Sequence, residues 1–339
     1  MSENIFEAVR KSAQYVATNA DYVQVNVEAI KSFALENYEN VLKSNESPIT
    51  FPIHFKDNAE EINFRCTLDL LNFGSGFRHP LHKHCKRGAF KVICGGVMAM
   101  HIGSGNITAH FMKTVSLSDV SEFFRIPLIE ETKLNDVMSV PKLGPLKPLI
   151  QFITQALNET GETLYTYGYP DFASFVNDTL STENSANHLV NRLVKLFPAF
   201  NDSAQYKNRT VHILKKAQLL AADLYRNFKS RNLYTFPDAN QFTVFSDNVL
   251  PAVLRKYGIL RIKESLTKAI DKGDALPRGD QEVELRLCAV HAAELILDEF
   301  RKNGKEVTST ELDFFLWSVG KEKGFREVER HSTLDTYYY

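Results

Sequence analysis

Apolar residues recur at spacings of three and four through most of the chain, the period of an α-helix with one buried face. Phe6 to Thr18 reads as a first helix. Asn26 caps a second that runs to about Leu42, where Asn45–Ser47 and Pro48 end it. Thr50–Phe55 reads as a short strand, whereas Phe64–Phe73 fits strand or helix. Gly88–His101 is an apolar, glycine-rich helix, and Thr108–Phe124 is another. The stretch 133–148, with Pro141, Gly144, Pro145 and Pro148, reads as a loop and as the expected subdomain boundary. Helices follow at 149–160, 170–180 and 186–196, then at Val211–Lys229, Asn248–Tyr257, Ser265–Lys272 and Gln281–Arg301. Thr308 and Glu311 form a capping-box pattern for a last one, Ser309–Lys321. The pattern predicts a mainly α protein, one large helical domain over residues 1–339 with a small β element.

The most informative stretch is Val211–Leu254. On a helical wheel Ile213, Ala217, Leu220, Leu224 and Phe228 form one stripe. Leu219 and Ala222 lie on the other side, and Lys215 lies with them. Two readings are open for Lys215: it snorkels along its four-carbon stem to water, or it is desolvated and needs a partner. Asp247 follows the apolar run Phe242–Phe245 and precedes a helix, so it reads as a helix cap. A carboxylate there that also faced a cavity would suit glycosidic bond cleavage, because it can stabilise an oxocarbenium-like state and activate water. The long helix Gln281–Arg301 is apolar on two sides, and Glu294 falls inside its Val283, Leu287 and Val290 stripe, with His291 nearby. A carboxylate so placed needs hydrogen-bond donors.

Composition narrows the field. Lys plus Arg (40) nearly balance Asp plus Glu (41), giving a formal charge of −1, so no basic field points to long nucleic acid. No run of about 18 apolar residues suggests a membrane span. The four cysteines form no C-x-x-C pair and, with no secretory signal, read as reduced thiols in a cytoplasmic protein. His79, His82, His84 and Cys85 match no standard zinc spacing, so no metal is expected. The chain has no P-loop, no dinucleotide fingerprint and no nucleophile elbow, which excludes those chemistries.

A set of segments, in order along the chain, carries a resemblance. They are VRKSAQYVATNADYVQVN near the start, LDLLNF at 68–73, FPAF at 197–200, LKKAQLLAADLY at 214–225, FTVFSDNVLPAVL at 242–254, EVELRLCAVHAAELI at 282–296 and LDFFLWSVGK at 312–321. Together they resemble the queuosine salvage family, queuosine 5′-phosphate N-glycosylases that release the base queuine. The resemblance implies a helical fold like that of helix-hairpin-helix DNA glycosylases, a small-molecule nucleotide substrate and no cofactor. It places the family's catalytic aspartate on Asp247 and its active-site lysine on Lys215. Asp69, Asn72 and Phe73 become candidates for base recognition, since a planar base suits an aromatic face and a polar edge partner. Phe90, Asn248, His291 and Glu294 complete the expected substrate-binding set. Where animal members carry Tyr-Arg after the aspartate, Asn248 and Val249 stand here, and His291 replaces a tryptophan. Arg78, Arg286 and Lys216 are then the candidate phosphate cations. Two other readings stay open: a glycosidase for another deazapurine nucleoside or nucleotide, and a queuine-binding protein without turnover.

Overall fold

A computed structural model describes residues 4–44, 50–133, 135 and 138–339. Among them are fifteen α-helices and three two-stranded sheets, so the protein is mainly α. In chain order the first half holds α1 (Ile5–Asn19), β1 (Val23–Val25), α2 (Val27–Ser44), α3 (Asn58–Leu70), α4 (Arg78–Cys85), α5 (Ala89–Ser104), α6 (Ala109–Thr114), α7 (Leu117–Phe124) and the hairpin β2–β3 (Ile129–Lys133, Ser139–Leu143). After α8 (Lys147–Thr166), α9 (Phe172–Thr182) and α10 (Ala186–Leu196) come the hairpin β4–β5 (Ser203–Tyr206, Arg209–His212) and α11 (Lys215–Phe228). The chain continues with α12 (Val249–Lys256), β6 (Leu260–Ile262), α13 (Glu264–Lys272), α14 (Asp280–Lys302) and α15 (Ser309–Val319).

Local chemistry accounts for many of these ends. The Asn4 carboxamide accepts from the N–H groups of Phe6 and Glu7 and starts α1, whose Phe6, Val9, Ala13 and Val16 are buried at helical spacing. Thr308 and Glu311 exchange hydrogen bonds as the capping box of α15. The ambiguous segment before Phe73 is helical. The expected helix over Thr108–Phe124 is two helices, because Val115 turns extended and Ser116 with Asp119 forms a second capping box there. Thr50–Phe55 forms no strand. Within 133–148, in place of the expected loop, Ser139–Leu143 is a hairpin strand, with Ile129 opposite Leu143, and Lys147 starts α8. The helix-ending residues Asn45–Pro48 and positions 134, 136 and 137 lie outside the described residues.

The correction that matters most is at Val211. The expected helix does not begin there, because Arg209–His212 pairs with Ser203–Tyr206 as a strand. Leu214 then takes a left-handed φ of 55° and α11 starts at Lys215. A buried non-glycine residue held in that region costs roughly 1–3 kcal/mol and persists only where the surroundings fix it.

Two apolar clusters make the core. One joins α3 and α5–α10 with the Ala217, Leu220, Leu224 and Phe228 stripe of α11. The other joins most of α1 with α2, α12, α14 and α15, and takes in Ile213 and Leu214. The start of α11 therefore lies where the two clusters meet.

Candidate active site

At that seam two cavities adjoin. The wider, of ≈ 390 Å³, is lined by Arg78, Lys86, Arg87, Lys91, Lys321, Arg326 and Arg330. Asp247 is the one carboxylate among its described lining residues. The narrower, of ≈ 110 Å³, is mixed in charge: Asp69, Asp223 and Asp313 line it with Arg65 and Arg226, beside the rings of Phe51, Phe245 and Phe314. Five residues line both: Asn72, Phe90, Lys215, Asp247 and Trp317. The Phe90 and Trp317 rings meet edge to face, 5.6 Å apart.

Lys215 does not snorkel. The residue is 4% exposed, and its Nζ donates to the main-chain oxygen of Asn72 at 2.6 Å and to its Oδ1 at 2.7 Å. Burial pulls its pKa down, and the negative charge of Asp247 pushes back. The two groups form no direct ion pair; the charge of Asp247 acts on Lys215 across the shared cavity. Asp247 does cap its helix. Oδ1 accepts from Val249 N at 2.6 Å and, more weakly, from Leu250 N at 3.4 Å. Oδ2 accepts no hydrogen bond from the described residues, so the cap leaves one carboxylate oxygen for the cavity.

Buried polar ties hold these two residues in register. Arg286 on α14 donates to both oxygens of Asp202, at 3.0 and 2.6 Å, and to Glu282 at 2.9 Å. Its Nε donates to the main-chain oxygen of Ser246, whose hydroxyl donates back to the oxygen of Arg286. That fixes the residue before Asp247. The main-chain oxygen of Asp202 accepts from Ile213 and Leu214, and its carboxylate accepts from Lys215 N at 3.4 Å. One carboxylate thus links the start of α11 to the start of α12. Gln218 adds a second link, exchanging hydrogen bonds with Thr243.

Asp69, Asn72, Phe73, Phe90, Lys215 and Asp247 are gathered at the cavities. Asp69 is buried with Oδ2 unpartnered, and burial, then the nearby Asp223, raises its pKa well above the carboxylate range. Asn248, His291 and Glu294 line neither cavity. Asn248 turns away and donates to the main-chain oxygen of His331 at 2.9 Å. Glu294 pairs with Arg10 at 2.9 Å, on the α1 side of α14, and His291 lies half-buried on that helix. Of the phosphate candidates, Arg78 lines the cationic cavity. Arg286 is consumed by Asp202 and Glu282, and Lys216 is buried with its Nζ on the oxygens of Leu70 and Tyr337. His79 meets Glu329 and His84 meets Glu130, so the histidine segment does not converge.

Sequence reasoning passed over Asp313, Trp317 and Arg330. Asp313 accepts from Phe245 N at 2.7 Å, and its pKa is pushed up to about 7, chiefly by burial, with Asp247 adding to the rise. The available signal was an acid inside the apolar run Leu312–Leu316. It also missed that the Ser332–Tyr339 segment reaches the cavity, through Tyr339. Tyr339 lines the wide cavity and its main-chain oxygen accepts from Gly74 N at 2.9 Å, while Ser332 Oγ donates to the oxygen of Gly76 at 2.5 Å.

Comparison with known proteins shows the family. The sequence model of a family described as queuosine salvage protein matches residues 53–338. The chain is 32% identical to a queuosine 5′-phosphate N-glycosylase/hydrolase of Mus musculus, over 97% of this chain and 98% of that one. It is 29% identical to the protein of that name from Bos taurus, over 82% and 81%. It is 27% identical to the one from Sphaerobacter thermophilus, over 84% of each chain.

Proposed function

Because the chain belongs to the queuosine salvage protein family, we propose that it hydrolyses queuosine 5′-phosphate at the bond between ribose C1′ and the base, releasing queuine. One observation carries the reading to these residues: Asp247 and Lys215 stand where a cationic cavity meets a smaller one lined by aromatic rings and hydrogen-bonding side chains. A nucleotide has that polarity. Its phosphate suits the cations, its base suits Phe90, Trp317 and the carboxylates, and its glycosidic bond then falls beside Asp247.

The chemistry follows from the bond. A 7-deazapurine lacks the ring nitrogen at position 7 that could be protonated to help it leave, so the charge developing on ribose must be stabilised. The free oxygen of Asp247 opposes the positive charge at C1′ as the C–N bond lengthens. A water oxygen bonds to C1′, one of its protons passes to the carboxylate, and that proton returns to the departing base nitrogen. Lys215, fixed by Asn72, sets the field around Asp247 without neutralising it by contact. In the narrow cavity Asp69, with its Oδ2 unpartnered, and Asp313 offer hydrogen-bonding groups to the polar edge of the base. No step requires a metal or cofactor.

Incubation of purified protein with queuosine 5′-phosphate, with free queuine followed by mass, tests the reading directly. Release is expected at catalytic enzyme concentration. Tight queuine binding with no release from any queuosine form would replace it with a binding function. No described helix is long and apolar enough to cross a membrane. The four cysteines are free thiols, which fits the cytoplasmic setting we propose.

A further inference from the structure

The seven cations of the wide cavity, Lys215 aside, are of two kinds. Lys86, Arg87, Lys91, Lys321 and Arg326 are exposed. Arg78 and Arg330 are half-buried and pre-positioned by main-chain acceptors. Arg78 Nη2 donates to the oxygen of Arg326, and Arg330 Nη2 donates to the oxygen of Gly320 at the end of α15, each at 2.6 Å.

Neither guanidinium is neutralised by a close carboxylate. Arg330 has no acidic partner in ion-pair range among the described residues. Arg78 has only Glu329, at 3.9 Å, and its Nη1 is buried with no hydrogen-bond partner. Burial works against the Arg330 cation; Asp247 favours it, and the positive charges of Arg78 and Arg326 oppose it. Two oriented guanidiniums that repel each other, with the buried Nη1 of Arg78 unused, make a site awaiting an anion.

We propose that Arg78 and Arg330, which line the wide cavity together with Asp247, jointly grip the 5′-phosphate of the substrate. This rests on the nucleotide reading above and deepens it. It also assigns a job to residues outside the segment after Asp247, where this chain carries Asn248 and Val249 and where Asn248 is turned toward His331. The exposed cations around the rim attract the dianion without fixing its position.

The test compares Arg330→Gln, Arg78→Gln and Arg330→Lys with the wild type on two substrates, queuosine 5′-phosphate and unphosphorylated queuosine. Each glutamine variant should lose roughly tenfold to a hundredfold in kcat/KM on the nucleotide, the scale of one charged hydrogen-bonding contact, and change little on the nucleoside. Arg330→Lys should recover part of the loss. Equal losses on both substrates, or none on either, overturn the assignment. Ribose 5-phosphate and ribose supply a readout that needs no turnover. Ribose 5-phosphate should raise the melting temperature of the wild type far more than ribose does, and that difference should vanish in the glutamine variants; its persistence in them overturns the assignment. If the wild type releases no base from either substrate, the hydrolase reading fails, and this binding difference still decides the phosphate site.

Discussion

Asp247 divides two tasks between two oxygens. Oδ1 satisfies N–H groups at the start of α12, and Oδ2 is left for the cavity. Helix cap and catalytic carboxylate, which look like rivals in the sequence, are compatible in one side chain. Asp247→Asn keeps an oxygen for the cap but removes the anion. Base release should fall by roughly 3 kcal/mol or more of transition-state stabilisation, with circular dichroism unchanged. An asparagine variant with full kcat would leave Asp247 as a cap alone. Asp313 gives a pH signature. With its folded pKa raised to about 7, the folded state holds a proton that the unfolded state gives up near its ordinary, lower pKa. Its contribution to stability is therefore fully present at about pH 4 and is lost as pH rises through about 7. Asp313→Asn should flatten the melting temperature curve between those values; parallel curves for the two proteins would count against it. How much of this was legible depends on the residue. Lys215 stood out because a charge sat within an apolar helix pattern. Its actual partner, Asn72, is 143 positions away, which no periodicity reports.

At the scale of elements, the proposed catalytic pair sits at the starts of α11 and α12, and α14 sets their relation. The Arg286 guanidinium bonds to Ser246 on one side and to Asp202 on the other, and Asp202 holds the chain just ahead of Lys215. Arg286→Met would leave Asp202 and Glu282 as buried, unopposed charges. Denaturant unfolding should show a loss of about 3–5 kcal/mol, the usual result of removing one partner of a buried pair. Residual folded enzyme should also have a reduced kcat, since Ser246 is released. Wild-type stability and kcat in this variant would separate the pair from the site. Most helices were legible because their apolar spacing and caps agree, as at Thr308 and Glu311. The start of α11 was not, because Arg209–His212 joins a short hairpin and Leu214 takes a left-handed turn. The apolar stripe continues through both features, so spacing alone extended the helix too far.

The whole molecule places its site between two apolar clusters, with walls drawn from both halves of the chain. One close approach is at Gly76, where an added Cβ would stand 2.5 Å from the main-chain oxygen of Thr333. Gly76→Ala should push the Ser332–Tyr339 segment off the cavity wall. The overpacking should cost about 1–3 kcal/mol, lower kcat/KM on the nucleotide and speed proteolysis near Ser332. Unchanged cleavage and unchanged kinetics would show that the segment yields without consequence.

That segment also bears on the order in which the molecule is made. Ser332 reaches back 256 positions to Gly76, and the Tyr337 oxygen holds the buried Lys216 beside the site lysine. During synthesis the N-terminal parts emerge and fold first. Asn72, Lys215 and Asp247 therefore leave the ribosome well before that segment. A nascent chain can carry every proposed catalytic side chain and still lack Tyr339, so the lining of the cavity is completed well after the chemistry it surrounds.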